Sequence, residues 1–270
     1  NGEIIGSALA GSPPSVLQAF RWTVNGVTNL TQVPGIGPSV NGINTAGQIV
    51  GGTATLPAAL WNGTQIVDLG LVDGAPGTAL ALNDQGQVVG SSGTGAHQAT
   101  IWSGGQGTRL DTFGGVNSEA VAIDAVGQFV GWSDDSGFVQ RAALWTGVGP
   151  ATELAGLGGP AYATDINDVG QVVGRGVRTG DPAPHALLWL IAQPGRPYDL
   201  NTLLRPEDAA RLFLMQALAI NNSGWVLANS TESTGSGLRA YVLRPVQPGG
   251  TADTAPPTVP SGVTASAVSS

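Results

Sequence analysis

The chain has 270 residues, of which 42 are Gly, and only 10% are charged, against the usual quarter. Eighteen acidic side chains face ten basic ones, all Arg, and the net charge of −8 argues against a nucleic-acid or anionic-membrane partner. The absence of Cys excludes disulfide, iron–sulfur and thiolate chemistry, and the longest apolar run, Ala186 to Ala192, is far short of a membrane span. An apolar content of 41% excludes wholesale disorder.

Along the chain the string Gly-x-apolar-apolar-Gly returns six times. It begins at Gly2 (GEIIG), Gly47 (GQIVG), Gly86 (GQVVG), Gly127 (GQFVG), Gly170 (GQVVG) and, in degenerate form, Gly224 (GWVLA). A period near forty residues marks an array of small supersecondary units, none able to bury an apolar face alone. Each unit holds four short apolar stretches; one set is EAVAID (119–124), GQFVGWS (127–133), RAALW (141–145) and TELAG (152–156). Runs of four to six aliphatic residues bounded by Gly, Asn, Asp and Ser predict strands rather than helices.

The first two stretches are joined by an Asn or Asp with Gly three residues on: Asn44, Asn83, Asp124, Asn167 and Asn221. Such a side chain bonds its own backbone two residues ahead and Gly accepts a positive φ, so each pair predicts a tight hairpin. The third stretch carries Trp22, Trp61, Trp102, Trp145 and Trp189, with Leu243 in the last copy, each three residues after an Ala. These rings are expected to fill the wedge against a neighbouring unit rather than to form a row of sugar-stacking platforms. The fourth stretch recurs near Val33, Leu69, Leu110, Leu154 and Leu200.

Four short antiparallel strands per unit predict an all-β fold, a β-propeller of five to six four-stranded blades. The alternative is a β-solenoid, whose coils are usually shorter. Twenty-two stretches make five blades plus two strands, or six blades lacking two. The last step is lengthened by RPEDAARLF (205–213), where Pro206 in a first turn with Glu207 and Asp208 predicts a short helix. The propeller is expected over 1–245, a Pro/Gly/Thr-rich linker over 246–259, and a strand-like or flexible tail over 260–270. Gly2 opens in the middle of a unit, so the chain is expected to be a piece of a longer protein, with incomplete end blades.

The pattern AINDxGQVVGxS, met here as LNDQGQVVGSS (82–92), with HALLW (185–189) and the VDLG string at 67–70, resembles the HAF repeat of bacterial extracellular proteins. The last copy, with DLNTLL (199–204), AINNSG (219–224) and RAYVLRP (239–245), looks like the closing repeat of that family. Trp225 stands where Gln is usual, and Glu3 in the first copy also departs from the pattern. The resemblance spans residues 1–245 and implies a secreted or cell-surface location rather than an activity. The string APPTVPSGVTASAVSS (255–270) is similar to the first strand of a fibronectin type III domain, a frequent companion of such modules.

Chemistry-bearing residues are sparse. His97 and His185 are the two His, and the variety at the slot of His185 (Gln18, Pro57, Gln98, Arg141, Arg239) predicts an exposed, tolerant site without metal-ligand spacing. Asp134 and Asp135 in SDDSG make a weak Ca²⁺ loop without the alternating ligands or closing Glu. No nucleophile elbow, phosphate loop or metal cluster is present, and no cofactor is expected. The residues off the repeat register are Trp132, Trp225, Arg175 and Arg178, which together could form a binding surface. These features point to a non-enzymatic binding, adhesion or assembly module for a protein or glycan surface, or for copies of itself through its end blades. The competing reading is a secreted polysaccharide-active enzyme, which needs two acids on facing walls.

Overall fold

The structure, a computed structural model, describes residues 3–10, 16–30, 39–52, 56–181, 183–232, 238–246 and 263–267. Its fold is an all-β propeller of six antiparallel sheets. The first sheet is β1 (Ile4–Ala10), β2 (Val16–Thr23) and β3 (Gly26–Asn29), three strands among the described residues. The second is β4 (Ser39–Ile43), β5 (Ile49–Gly52), β6 (Ala59–Trp61) and β7 (Ile66–Asp68); the third is β8 (Gly77–Leu82), β9 (Val88–Ser92), β10 (Gln98–Ser103) and β11 (Gln106–Arg109). The fourth runs β12 (Gly114–Ile123), β13 (Gln128–Asp135), β14 (Gln140–Thr146), β15 (Thr152–Leu154), and the fifth β16 (Gly158–Ile166), β17 (Gln171–Arg178), β18 (Pro184–Leu190), β19 (Tyr198–Asp199). The sixth is β20 (Leu212–Ile220), β21 (Val226–Glu232), β22 (Leu238–Pro245) and β23 (Val263–Ala267).

Within every sheet, successive strands are sequence neighbours, the up-and-down order of a blade. The strand beyond the twenty-two expected is β23, which lies in the fibronectin-like stretch and pairs with β22 from Tyr241↔Ala267 to Pro245↔Val263. The outer strand expected near Val33 is Gly26–Asn29, followed by buried Leu30; Val33 itself lies outside the described residues. The insertion before the last sheet is a 3-10 turn at Leu200–Leu203 and a one-turn helix, α1 (Pro206–Ala209), opened by Pro206, Glu207 and Asp208. Contacts divide the chain into two compact units: Asn1–Asp111 with Val116–Gly127 and Gly147–Gly149, and Thr112–Gly115 with Gln128–Thr146 and Pro150–Ser270. No described helix is long and apolar enough to cross a membrane.

The repeat string is explained by backbone geometry. Its first glycines, Gly47, Gly86, Gly127, Gly170 and Gly224, have φ between 73° and 85°, and each N–H closes the turn onto the carbonyl of the Asn or Asp three residues before, as Gly86 does onto Asn83 at 3.2 Å. The second glycine answers to a different constraint. The inner strand carries a bulge beside it, at Val40/Gly42, Ala79/Ala81 and Ala163/Asp165. There a Cβ on Gly51, Gly90 or Gly174 would overlap the carbonyl oxygen of Ser39, Thr78 or Tyr162.

The hairpin Asn does more than shape its own turn. Asn83 Oδ1 accepts from the N–H groups of Gln85 and Gln87, both at 3.1 Å, while its Nδ2 donates to Gln87 Oε1 (2.8 Å) and to the carbonyl of Asp124 in the next repeat (3.1 Å). Asn44 repeats this with Gln48 and the carbonyl of Asn83, and Asn167 with Gln171 and the carbonyl of Asn221. One carboxamide thus joins a turn, a Gln side chain and the following sheet, using all its bonding capacity. A carboxylate cannot donate; Asp124 in that place accepts from Val126 N at 3.0 Å. Hairpin tips are also linked, Thr45 to Asp84 in the first unit and Asp168 to Asn222 in the second. The bonds from Thr45, the hydroxyl first, hold the Asp84 carboxyl below its ordinary range.

The Trp register packs between sheets. Trp102 is buried with Val50, Ala58 and Val72 of the second sheet region and Ala79, Leu82 and Val88 of its own. Trp61 packs against the cluster of Ala19 and Leu30 of the first sheet region and Ile49 of its own. Trp145 and Trp189 are fully buried, with Trp145 stacked on Phe129 at 6.0 Å and Trp189 Nε1 donating to the Ala155 carbonyl at 2.7 Å. Trp22 is half-buried, tilted against Phe20 at 5.8 Å.

Candidate functional site

Next to the framework lies a register whose residues differ among the described sheets. On the inner two strands, the pairs Val40↔Gly51, Ala79↔Gly90, Ala163↔Gly174 and Ala217↔Ala228 are small and buried or nearly so. The adjoining pairs are Ser39↔Gly52, Thr78↔Ser91, Tyr162↔Arg175 and Gln216↔Asn229. The strand pleat and a rigid bulge fix where these side chains emerge, and nothing in the repeat dictates their chemistry. Trp132 follows Gly131 at the same register of β13, opposite Ala142 on β14.

In the second unit this register gathers Trp132, Tyr162 and Arg175. The Arg175 guanidinium lies 4.6 Å from the Tyr162 ring centroid, and the Trp132 ring is 6.3 Å from Tyr162, tilted by 58°. All three are half-buried, so each keeps a face to solvent. A cation over an aromatic ring with a second ring beside it offers apolar stacking area and outward N–H donors in one patch. Trp132 and Arg175 were legible as off-register residues; Tyr162 was not, because a Tyr before Ala reads as an ordinary strand residue.

Arg178 does not join this patch. Its Nη2 donates to Asp199 Oδ2 at 2.8 Å, and that oxygen also lies 2.8 Å from His185 Nδ1, while His185 Nε2 lies 3.0 Å from Asp181 Oδ2. His185 is 6% exposed, with its ring edge-on to Phe213 at 5.0 Å, which corrects the expectation of an exposed, tolerant site. Arg141 in the same slot likewise meets a carboxylate, Asp135 at 2.8 Å. Asp199 Oδ1 accepts from Asn201 N and Nδ2, so the network anchors the 3-10 turn, and both His185 nitrogens are engaged. The bonds from Ala183 N–H, first, and from His185 hold the Asp181 carboxyl below its usual range.

Trp225 stands apart from the cluster too. It lines an apolar cleft of about 270 Å³ with Ala219, Ile220, Val226, Leu227 and Val242, and the Arg244 guanidinium covers its ring at 4.3 Å. Asp135 accepts from Gly137 N, Val139 N and Arg141, which makes SDDSG a closed turn with its carboxylate committed; its bonds, that from Val139 first, keep its carboxyl below the ordinary range. Asp134 is buried. No group of three or more His, Cys, Asp or Glu placed to hold a metal occurs among the described residues.

Asp165 stands just after the bulge, where Gly42, Ala81 and Ala219 stand in other sheets. Its Oδ2 accepts from Ile220 N at 2.7 Å and its Oδ1 from Ile166 N at 2.9 Å. Burial dominates these bonds and pushes its carboxyl up to about 6. The folded protein therefore holds this proton more tightly than the unfolded chain, so its stabilising effect is full below pH 3.8 and is lost as pH rises through 6. Measured by urea unfolding, the stability of wild type relative to Asp165→Ala is expected to rise by about 2 kcal/mol between pH 7 and pH 4. An equal difference at both pH values would contradict this placement of the charge.

Six up-and-down sheets with a side-chain register that changes from sheet to sheet define the protein as a β-propeller with a candidate binding surface. No family model matches the chain and no curated protein is similar to it. Among solved structures, it is similar to the crystal structure of TolB from Acinetobacter baumannii, with a TM-score of 0.53 and 15% sequence identity over 88% of this chain. The match covers 65% of that chain, so this chain spans about two thirds of its length, and at this identity the likeness is one of fold.

Proposed function

We propose that the protein is a non-enzymatic binding module of the HAF-repeat type, acting outside the cell or at its surface, whose partner is a protein or glycan surface. The observation that carries this reading is the patch of Trp132, Tyr162 and Arg175, which places two aromatic rings and a cation on the one register that the framework leaves free. Aromatic and Arg side chains dominate the energetics of recognition surfaces. The HAF-repeat and fibronectin-like resemblances support the extracellular setting, and the TolB-like fold is compatible with a propeller that binds another protein.

Hydrolysis is disfavoured because most acids described in detail are already committed: Asp199 to His185 and Arg178, Asp135 to Arg141, Asp208 to Arg211, and Asp165 to two backbone N–H groups. A glycan array and an extracellular-protein array would be screened with the intact chain, and the best hit measured against Trp132→Ala. At least a tenfold loss of affinity is expected, since a central aromatic contributes on the order of 2 kcal/mol to such contacts. Unchanged affinity in the variant, or cleavage of the bound glycan, would overturn the reading. Self-association through an end sheet is the competing outcome, visible as concentration-dependent mass in sedimentation.

A further inference from the structure

The first unit carries a second site on the same variable register. Pro76, Thr78, Ser91, Ser92, Gly93, Gly95, His97 and Glu119 line a polar cleft of about 310 Å³. Its walls are built rather than incidental. Gly93 N donates to the Pro76 carbonyl at 3.0 Å, closing the end of β9 onto the segment before β8. His97 is held at both ends of its backbone: its carbonyl accepts from Ser118 N at 2.9 Å and its N–H reaches Asn117 Oδ1 at 3.3 Å, both on β12. Ser118 Oγ in turn accepts from Ala99 N at 2.9 Å, so β12 and β10 are tied together beside the cleft residues His97 and Glu119. The buried Ser92 hydroxyl is spent on Thr100 (2.8 Å) and Arg109 Nε (3.2 Å).

Against this satisfied frame, the Glu119 carboxylate stands out. It has no ion-pair partner among the described residues, and its one hydrogen bond, from Ser91 Oγ, is 3.4 Å long. Asp199, Asp135, Asp208 and Glu3, by contrast, are each paired with an Arg at 2.8 Å or less. A half-buried carboxylate facing a cleft keeps its acceptor sites open to the donors of a ligand.

We propose that this cleft binds one sugar unit of a glycan, with Glu119 accepting from two neighbouring sugar hydroxyls. The proposal rests on the binding-module reading and adds to it a second, separate site with its own ligand class. The chemistry of the lining selects it. A sugar hydroxyl both donates and accepts, and the cleft offers an acceptor-only carboxylate beside the two-way hydroxyls of Ser91 and Thr78. A lone ammonium group could donate to the carboxylate and to the hydroxyl oxygens but could accept from none of the hydroxyl protons. The volume suits one ring-sized polar ligand at the small end of the range for such sites. With Glu119 the one acid in the lining, the cleft lacks the second carboxylate that glycoside hydrolysis requires, so it holds the sugar without cleaving it.

The test is a titration of the ¹⁵N-labelled chain with the methyl glycosides of glucose, mannose, galactose and N-acetylglucosamine, followed by amide shifts. At least one is expected to move the amides of Ser91, Gly93, Gly95 and His97 together. Glu119→Gln, which keeps the shape, and Ser91→Ala should each weaken that sugar, the first by at least tenfold, while Glu153→Gln on exposed β15 should leave it unchanged. Nα-acetyl-lysine amide moving the same amides where no sugar does would overturn the proposal in favour of a cationic ligand. Silence from every probe would overturn it outright. Shifts confined to Trp132, Tyr162 and Arg175 would overturn this site while leaving the binding-module reading standing, whereas failure of both arrays would count against that reading itself.

Discussion

Gly90→Ala is expected to cost about 3–5 kcal/mol, enough to unfold most of the population of a marginally stable domain. The φ of Gly90 is not in the left-handed region, so the penalty does not come from its own backbone. It comes from the bulge at Ala79/Ala81, which drives the Thr78 carbonyl into the space a Cβ would fill. Every atom in the way is backbone of Thr78 and Ala79, which leaves no flexible side chain to give way, unlike ordinary overpacking. The partner substitution isolates the effect. Gly86→Ala, four residues earlier, meets open space but sits at φ 75°, and should cost only about 1–2 kcal/mol for the left-handed conformation. Guanidinium unfolding of both variants measures the difference; equal costs would show that the inner-strand bulge does not press on Gly90.

Trp102→Ala is expected to cost about 3–5 kcal/mol, the range for deleting a buried Trp. The ring is 2% exposed and lies between Gly77 and Gly107, where a Cβ would overlap the indole or Val72. It also joins Val50 and Ala58 to Ala79, Leu82 and Val88, so its loss opens the seam between the second and third sheets rather than a pocket inside one. Its Nε1 has no acceptor among the described residues, so the ring acts through packing alone. Trp102→Phe should therefore retain much of the stability, since it removes volume and an unsatisfied N–H together. At Trp189 the same change abandons a 2.7 Å bond to the Ala155 carbonyl and should cost more than at Trp102. The order of the two Trp→Phe costs in urea unfolding checks the distinction; a larger loss at Trp102 would refute it.

Much of the fold was legible because local chemistry repeats. Asn-x-x-Gly announces its hairpin through a side-chain cap and a positive φ, and four short aliphatic stretches per forty residues leave few architectures open. The second glycine and the donor half of each Asn carboxamide were not legible, because both act on another strand or the next sheet: Gly174 answers to Tyr162, and Asn83 to Asp124. The burial of His185 is hidden from the sequence for a related reason. A slot shared by Gln, Arg and Pro looks solvent-exposed until Asp181 and Asp199, fourteen residues away at the farther, are brought around the ring. At the candidate site, Trp132 and Arg175 were visible as departures from the repeat, whereas Tyr162, Ser91 and Glu119 gained their meaning only through cross-strand register and the β9–β12 juxtaposition.

The division between a framework that folds and a register that binds is tested most directly by one double variant, Trp132→Ser with Arg175→Ser, which carries into β13 and β17 the Ser that β9 has at Ser91. Its unfolding free energy should stay within about 1.5 kcal/mol of wild type, the scale of one aromatic pair, while affinity for the array-selected partner falls at least tenfold. Loss of the folded state, or binding equal to wild type in a folded variant, would contradict that division.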